Sequence, residues 1–354
     1  MSLILESQFS VDKITVIIYP NSSFRELRSN AEALLNDFCT ARDLHRNFVC
    51  HKQSGYAYSM MLPLTKSLDY KIKSNNDGKP KVYVQVCNSS DQKQRIRVEI
   101  SGYPLSRADY FMVQKWLMKL TGNDLACLAF DQIRVTRLDI AMDLEKPIDE
   151  LYFNVSRFNK EMLFLSDKGK LESRTIGPTN RDLKICIYDL EAKAASKGEN
   201  GARRKERNGK YKTRVELRIN PKCKLSELQD KVNFNKYFNR VEIFDPRFLE
   251  FTEMNQILKN HFAYFGYQAT FKALDSEQRA ELKKLIKEFK YSHLDLNAQL
   301  ERLKVEFLCF KGLDPTIDYT KRSRKAQKTA LKYENRFRSY NGQSLDQQAN
   351  YICS

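Results

Sequence analysis

Apolar and polar residues alternate in several short stretches of this chain, a period that predicts half-buried β-strands. The clearest stretches are RVTRLDIAMDL, LKICIYD and TRVELRIN, at residues 134–144, 183–189 and 213–220. Because successive side chains of a strand point to opposite faces, each stretch has an aliphatic face and a polar face. The aliphatic faces comprise Leu138, Ile140 and Met142, then Leu183, Ile185 and Ile187, and then Val215, Leu217 and Ile219.

Apolar residues at helical spacing predict helices among the strands. One helix follows Ser23, which stands three residues before Glu26 in the spacing of a capping box. Another begins near Ser106 and ends at Gly122. Helical spacing prevails after about residue 226, with apolar positions such as Leu282, Leu285, Ile286 and Phe289.

The order of these elements predicts an α+β fold, a mostly antiparallel sheet with helices packed on one face, followed by a smaller helical C-terminal domain. The length of 354 residues allows one large or two ordinary domains, and the hydrophobic fraction of 42% allows a substantial core. We expect two domains, at residues 1–225 and 226–354.

The net charge of the chain indicates the kind of partner that it binds. The chain has 61 Lys and Arg against 44 Asp and Glu, a net charge of +17. An excess of that size favours a polyanionic partner, above all nucleic acid, over scattered surface charge. Two segments, 197–212 and 321–338, are strongly basic. Their candidate phosphate contacts are Arg203, Arg204 and Lys205 in the first, and Lys321, Arg322, Arg324 and Lys325 in the second.

The cysteines and the apolar segments indicate the cellular compartment in which the protein is expected. Eight cysteines are present and none forms a C-x-x-C pair, which argues against zinc-finger and redox motifs. No apolar segment is long enough to span a bilayer, and the N-terminus lacks a signal-peptide pattern. We therefore expect free thiols in a reducing cytoplasm.

The polar faces of the three alternating strands carry the candidate chemistry. They present Arg137, Asp139 and Asp143, then Lys184, Cys186 and Tyr188, and then Arg214, Glu216 and Arg218. If the strands share one sheet, Asp139, Tyr188 and Glu216 lie on the same surface. The alternative is a solvated sheet face on which acids and arginines form ordinary salt bridges.

These residue types suit phosphodiester cleavage. Two carboxylates on adjacent strands can bind one Mg²⁺ or Mn²⁺. Asp139 and Asp143 lie about 13 Å apart along a strand, so Glu216 is preferred to Asp143 as partner of Asp139. Tyr188 is then the candidate nucleophile. Arg214 and Arg218 are candidates to neutralise the developing charge, and Arg137 and Lys184 to contact DNA.

Five stretches together resemble the replication initiation factor family of rolling-circle plasmids and filamentous phages, to which some conjugative relaxases are related. They are VDKITVIIYP, VEISGYPLSR, VTRLDIAMDL, TIGPTNRDLKICIYDLEAK and TRVELRI, which occur in the family's order over the first two-thirds of the chain. The resemblance ends at about residue 225.

The resemblance implies a nickase that acts at a single-stranded or hairpin DNA origin, with residues 1–225 as its catalytic domain. Tyr188 would join the 5′ phosphate, and Asp139 and Glu216 would bind the metal. Leu190 stands where the family has lysine, and Lys193 is the candidate to replace it. The resemblance further implies a host helicase as partner, allows a homodimer, and places the reaction in the cytoplasm of a bacterial host.

Three other functions stay open from the sequence. A conjugative relaxase would use the same chemistry. A non-catalytic DNA-binding regulator could be built on the same fold. An RNA-binding module is a weaker alternative, because the strands GYAY and KVYVQV contain aromatic residues but the chain has no RNP-like motif.

Overall fold

The computed structural model describes most of the chain up to residue 293. The described residues are 3–5, 7–39, 56–62, 81–88, 94–101, 107–124, 126–128, 131–155, 161–177, 182–196, 209–228, 237–251 and 256–293. Arg203, Arg204 and Lys205, and the whole basic segment with Lys321, Arg322, Arg324 and Lys325, lie outside them.

The chain has a mixed α/β fold with a large antiparallel sheet, which confirms the predicted fold class. Its five helices are α1 (Phe24–Cys39), α2 (Arg107–Leu120), α3 (Leu190–Ser196), α4 (Gln256–Ala273) and α5 (Ser276–Glu288), within the described residues. The strands described are β1 (Leu3–Leu5), β2 (Ser7–Ile18), β3 (Tyr56–Met61), β4 (Lys81–Asn88), β5 (Ile96–Ser101), β6 (Arg134–Leu144), β7 (Tyr152–Val155), β8 (Glu161–Leu165), β9 (Leu171–Ile176), β10 (Leu183–Asp189), β11 (Thr213–Ile219), β12 (Cys223–Lys224), β13 (Val241–Phe244) and β14 (Tyr291–His293).

The chain divides into two compact units made of interleaved segments. One unit takes the described residues within 3–10, 139–219 and 237–293, and the other takes those within 11–138 and 220–228. The predicted domain boundary at residue 225 lies within residues 220–228, which belong to the unit that contains residues 11–138.

The unit that contains residues 11–138 is built on the strand order β3-β4-β5-β2-β6. The start of α1 and the end of α2 lie where the sequence predicts them. The backbone N–H of Glu26 donates to Ser23 Oγ while Glu26 Oε2 accepts from the Ser23 N–H, which closes the capping box at the start of α1. After α2, Gly122 takes φ +65°, a left-handed conformation that suits a helix end at glycine.

The other unit carries the strand order β6-β11-β10-β9-β8, and the described pairings of β8 to β11 are all antiparallel. Leu138 ends the part of β6 in the first unit, and Asp139 begins the part in this one. The aliphatic sides of β10 and β11 are fully buried, as their alternation predicts. This half of the sheet holds the candidate chemistry.

Residues 237–293 contain strands as well as the predicted helices. Helix α5 lies where the spacing of Leu282 and Ile286 predicts it, and Asp275 caps its start. Strand β13 pairs with β7, and β14 pairs in parallel with β1, so this region is not purely helical. Its core joins both kinds of element around Tyr152, Phe244, Phe248, Phe262, Leu274, Leu282 and Ile286.

None of the helices in the described part of the chain combines the length and the hydropathy that a membrane span requires.

Candidate active site

The register between β10 and β11 aligns the polar faces of these two strands. Tyr188 lies directly opposite Arg214, and Cys186 lies opposite Glu216. Residues opposite each other in an antiparallel pair point to the same side of the sheet, so all four side chains share one face. The alternating pattern of each strand and this register together bring the predicted nucleophile close to a predicted metal ligand.

Tyr188 and Glu216 form the central contact of the site. The Tyr188 hydroxyl donates a hydrogen bond to Glu216 Oε2 at 3.1 Å. The other carboxylate oxygen, Oε1, accepts from Arg218 Nε at 2.6 Å. Burial alone would raise the pKa of Glu216, but the hydrogen bond and charge of Arg218 outweigh it and hold that pKa below its ordinary value. Glu216 is therefore an ionised carboxylate that faces the tyrosine hydroxyl.

Asp139 and Arg218 extend this network toward β6. Asp139 is 1% exposed, which is unusual for a carboxylate. Burial works to lower the pKa of Arg218, but Glu216 and, more weakly, Asp139 raise it above the ordinary value. Arg218 thus stays a cation whose charge is shared between two acidic groups.

Arg214 and Asp143 form a second ion pair on the same face. Arg214 Nε and Nη2 donate to the two oxygens of Asp143 at 2.6 and 2.8 Å. This is the bidentate geometry that gives arginine–carboxylate pairs their directionality. The salt bridges considered as an alternative from the sequence are therefore present for both arginines, and they are partly buried.

Helix α3 covers one side of Tyr188. Asp189 Oδ1 accepts hydrogen bonds from the backbone N–H groups of Glu191 and Ala192, so this acidic residue caps the helix that follows the strand. The helix brings Lys193 Nζ to 5.2 Å from the centre of the Tyr188 ring, a cation–π contact.

Tyr188 is more enclosed than a strand with a solvated polar face would predict. Its side chain is 9% exposed and packs in a cluster with Cys186 and Leu190, against which Tyr211 also packs. The backbone N–H of Leu190 donates to the Lys212 carbonyl, which ties the start of α3 to the segment before β11. The alternation within β10 gives no indication that Leu190 and Tyr211 pack around Tyr188.

A pocket opens beside the tyrosine. It has a volume of about 400 Å³, and the residues that line it include Phe164, Thr175, Cys186, Tyr188, Lys193 and Arg218. Cys186 is another nucleophilic group in the pocket, but burial raises the pKa of its thiol and favours the unreactive protonated form. Tyr188, bonded to an ionised carboxylate, is the better candidate nucleophile.

The site contains two buried carboxylates, Asp139 and Glu216, of the kind that bind a hard metal ion. Among the described residues, no group of three or more His, Cys, Asp and Glu side chains could hold a metal. Asp139 and Glu216 remain as two buried carboxylates that both act on Arg218. Mg²⁺ is commonly held by one or two carboxylates and completes its shell with water and substrate phosphate, so the pair suits the predicted ion in charge. Both oxygens of Glu216 already bond to Tyr188 and Arg218, so a bound ion would have to displace one of these partners.

The remaining predicted residues take different places. Both oxygens of Asp143 bond to Arg214, so Asp143 faces an arginine rather than an open site. Lys184 is half-buried on β10, and Arg137 is half-buried in the part of β6 that belongs to the other unit.

Sequence reasoning missed the residues of the pocket that β8 and β9 supply, among them Phe164 and Thr175. The stretch EMLFL has no alternation of apolar and polar residues, and only the pairing of β8, β9 and β10 shows that it borders Tyr188. No local signal in the sequence would have found it.

Comparison with known proteins adds little to this picture. No family model matches the chain, and no curated protein matches it. Among solved structures the chain is similar to the rolling circle replication initiator protein from Geobacillus stearothermophilus, with 13% sequence identity over 60% of this chain and 74% of that chain and a TM-score of 0.29. A likeness of this size does not establish a shared function.

Proposed function

We propose that this chain is a tyrosine-dependent enzyme that nicks and rejoins one DNA strand at an origin and so initiates rolling-circle replication. The observation that carries the proposal is the hydrogen bond of 3.1 Å from the Tyr188 hydroxyl to the buried, ionised Glu216, beside an open pocket. The net charge of +17 and the family resemblance of the strand motifs point to DNA as the substrate.

In the proposed reaction Tyr188 Oη attacks the phosphorus of the scissile phosphodiester. The bond from phosphorus to the 3′ oxygen breaks, and a phosphotyrosine bond to the 5′ end forms. The hydroxyl proton passes to Glu216, which already accepts its hydrogen bond, and the released 3′ oxygen takes up a proton to become a hydroxyl. Rejoining is the reverse attack by that hydroxyl.

Positive groups around the tyrosine would stabilise the charge that develops on the phosphate. Lys193 lies over the ring of Tyr188, and Lys193 and Arg218 both line the pocket. This contact supports Lys193 as the replacement for the lysine that the family has where this chain has Leu190. Arg214 is held by Asp143 on the same face, so its guanidinium is pre-oriented near the tyrosine.

Mg²⁺ or Mn²⁺ is the last part of the proposal, with Asp139 and Glu216 as its protein ligands. Glu216 would bind the ion through Oε1, the oxygen that bonds to Arg218, which leaves Oε2 to accept the Tyr188 proton. A bound ion would supply charge that polarises the phosphodiester. The proposal predicts that EDTA abolishes nicking and leaves DNA binding in place. Undiminished nicking in EDTA would remove the metal from it.

The partners of the reaction follow from the resemblance rather than from the described residues. They are origin DNA in single-stranded or hairpin form and a host helicase that continues unwinding, in the cytoplasm of a bacterial host. The resemblance also allows a homodimer. A conjugative relaxase would share every chemical step, and only the DNA next to the gene would separate the two.

The decisive experiment is Tyr188→Phe, assayed on supercoiled DNA that carries the sequence flanking the gene, with Mg²⁺ present. The variant removes one hydroxyl and keeps the ring, so we expect it to fold, to bind DNA, and to lose both nicked circles and the covalent protein–DNA adduct.

The matched control is Tyr211→Phe, a tyrosine that packs against the same cluster. It should retain nicking, and peptide mapping of its adduct should identify Tyr188. An adduct in the Tyr188→Phe protein would overturn the assignment of the nucleophile. Binding without nicking by the wild-type protein, under all metals tested, would favour the non-catalytic regulator.

A further inference from the structure

Strand β8 exposes large apolar side chains at the end of the strand order. Met162, Leu163, Phe164 and Leu165 are between 45% and 56% exposed. Apolar residues clustered on a surface mark contact sites more often than single ones do. Phe164 differs from its neighbours because its side chain is 50% exposed and the residue also lines the pocket of Tyr188.

The register of three strands places Phe164 in a row with the proposed nucleophile. Phe164 lies opposite Ser173 of β9, and Ser173 lies opposite Tyr188 of β10. Directly opposed residues share a face, so the ring of Phe164 and the hydroxyl of Tyr188 are on the same side of the sheet. Two strand spacings separate their backbones by about 10 Å, and the small serine between them leaves room above the sheet.

The same pocket combines this aromatic ring with cations. Lys193 and Arg218 line it together with Phe164, and Lys193 is exposed on α3. Proteins that hold single-stranded nucleic acid pair positive groups that follow the backbone with aromatic rings on which bases stack. A phosphate near Lys193 would place the base of the same or the next nucleotide within reach of Phe164.

We propose that Phe164 is the stacking platform for an unpaired base beside the scissile phosphate. This inference deepens the proposed function and rests on it: it makes the substrate at Tyr188 a single strand, because a base inside a duplex is stacked on its neighbours and cannot lie on the ring. Phe164 positions the strand, and Tyr188 performs the chemistry.

A binding experiment tests the platform without any cleavage. Fluorescence anisotropy measures the affinity of the full chain for a twelve-nucleotide oligo(dT), which offers bases for stacking but no origin. Removal of one stacking partner weakens binding by roughly 5- to 100-fold, which is the effect expected for Phe164→Ala. The salt dependence of binding should not change, because the phenyl ring carries no charge and neutralises no phosphate.

Two further variants separate stacking from a general effect on the strand. Leu163→Ala is the matched control: Leu163 is similarly exposed, but it lies opposite Arg174 and therefore points to the other face. It should bind oligo(dT) like the wild type. Phe164→Trp should keep the affinity, and oligo(dT) should quench the emission of the added indole, whereas the indole of Leu163→Trp should not respond.

Three results would overturn the platform. They are wild-type protein that does not bind oligo(dT), Phe164→Ala protein that binds it unchanged, and equal losses of affinity in Phe164→Ala and Leu163→Ala. A dimer in sedimentation that Phe164→Ala and Leu163→Ala both dissociate would instead assign β8 to an interface between copies of the chain. Because oligo(dT) binding needs no nucleophile, an adduct that persists in Tyr188→Phe would overturn the proposed chemistry alone.

Discussion

At the scale of single residues, the site depends on the two hydrogen bonds that the Glu216 carboxylate accepts, one at each oxygen. Glu216 gives one oxygen to Arg218 and the other to the Tyr188 hydroxyl. The arginine keeps the carboxylate ionised in a site where burial alone would favour its protonated form. Arg218 therefore acts on the tyrosine indirectly: it keeps Glu216, the proton acceptor of Tyr188, in its ionised form.

Replacing Glu216 with glutamine tests this arrangement. The amide keeps the size of the side chain but cannot accept the tyrosine proton, so we expect the nicking rate to fall roughly 10²- to 10⁴-fold. Single-turnover nicking assays give the rate, and DNA binding should stay within a few-fold of wild type.

Glu191→Gln provides the control, because Glu191 is an exposed carboxylate on α3 close to the same site. It should nick at the wild-type rate. A Glu216→Gln protein that is folded and equally fast would show that another group takes the proton.

At the scale of elements, an acidic residue at the end of β13 joins three pieces of structure. Asp245 Oδ2 accepts hydrogen bonds from the Tyr291 hydroxyl of β14 at 2.9 Å and from Arg247 Nη2 at 2.6 Å, and Asp245 Oδ1 accepts from the Arg247 backbone N–H. The hydrogen bond of the Arg247 side chain is the main cause that lowers the Asp245 pKa from 3.8 to about 2.

This shift predicts a dependence of stability on pH. A carboxyl with a lowered folded-state pKa stabilises the fold above its unfolded pKa and loses that contribution as the pH falls toward the folded value. Asp245→Asn should therefore lower the free energy of unfolding by about 1–2 kcal/mol at pH 7. Between pH 4 and pH 2 its deficit should shrink.

Urea unfolding at several pH values measures this deficit, with Glu250→Gln as an exposed control nearby. A deficit that stays constant down to pH 2 would mean that Asp245 acts through shape and hydrogen bonding rather than through its charge.

At the scale of the whole molecule, the positive charge is the largest feature that the described fold does not explain. The segment 321–354 contains eight Lys and Arg against one Glu and one Asp, and it lies outside the described residues. If it binds phosphates, its removal weakens DNA binding. The dependence of affinity on salt then flattens by about 0.7 for each phosphate of single-stranded DNA that is no longer neutralised.

Deleting residues 321–354 and measuring affinity over a range of salt concentrations tests this expectation. Deleting only 339–354 is the matched control, since that piece contains no Lys or Arg. An unchanged slope in the longer deletion would assign the basic segment to solvent or to a partner other than DNA.

The sequence by itself determined what depends on neighbours along the chain. Alternation in LKICIYD and TRVELRI assigned Tyr188 and Glu216 to polar faces, because successive side chains of a strand point to opposite sides. The spacing of Ser23 and Glu26 predicted the start of α1, since a capping box is closed within one helical turn.

Only the tertiary structure decided which strands lie side by side and in what register. The register of β10 on β11 brings Tyr188 and Glu216 to one face, and their hydrogen bond joins residues 28 positions apart. The row from Phe164 to Tyr188 crosses three strands, and the stretch around Phe164 gives no periodic signal of its own. The physical reason is that a period of two fixes a side chain's face within its own strand, whereas the choice of neighbouring strand depends on loops, covering helices and packing that act across the whole chain.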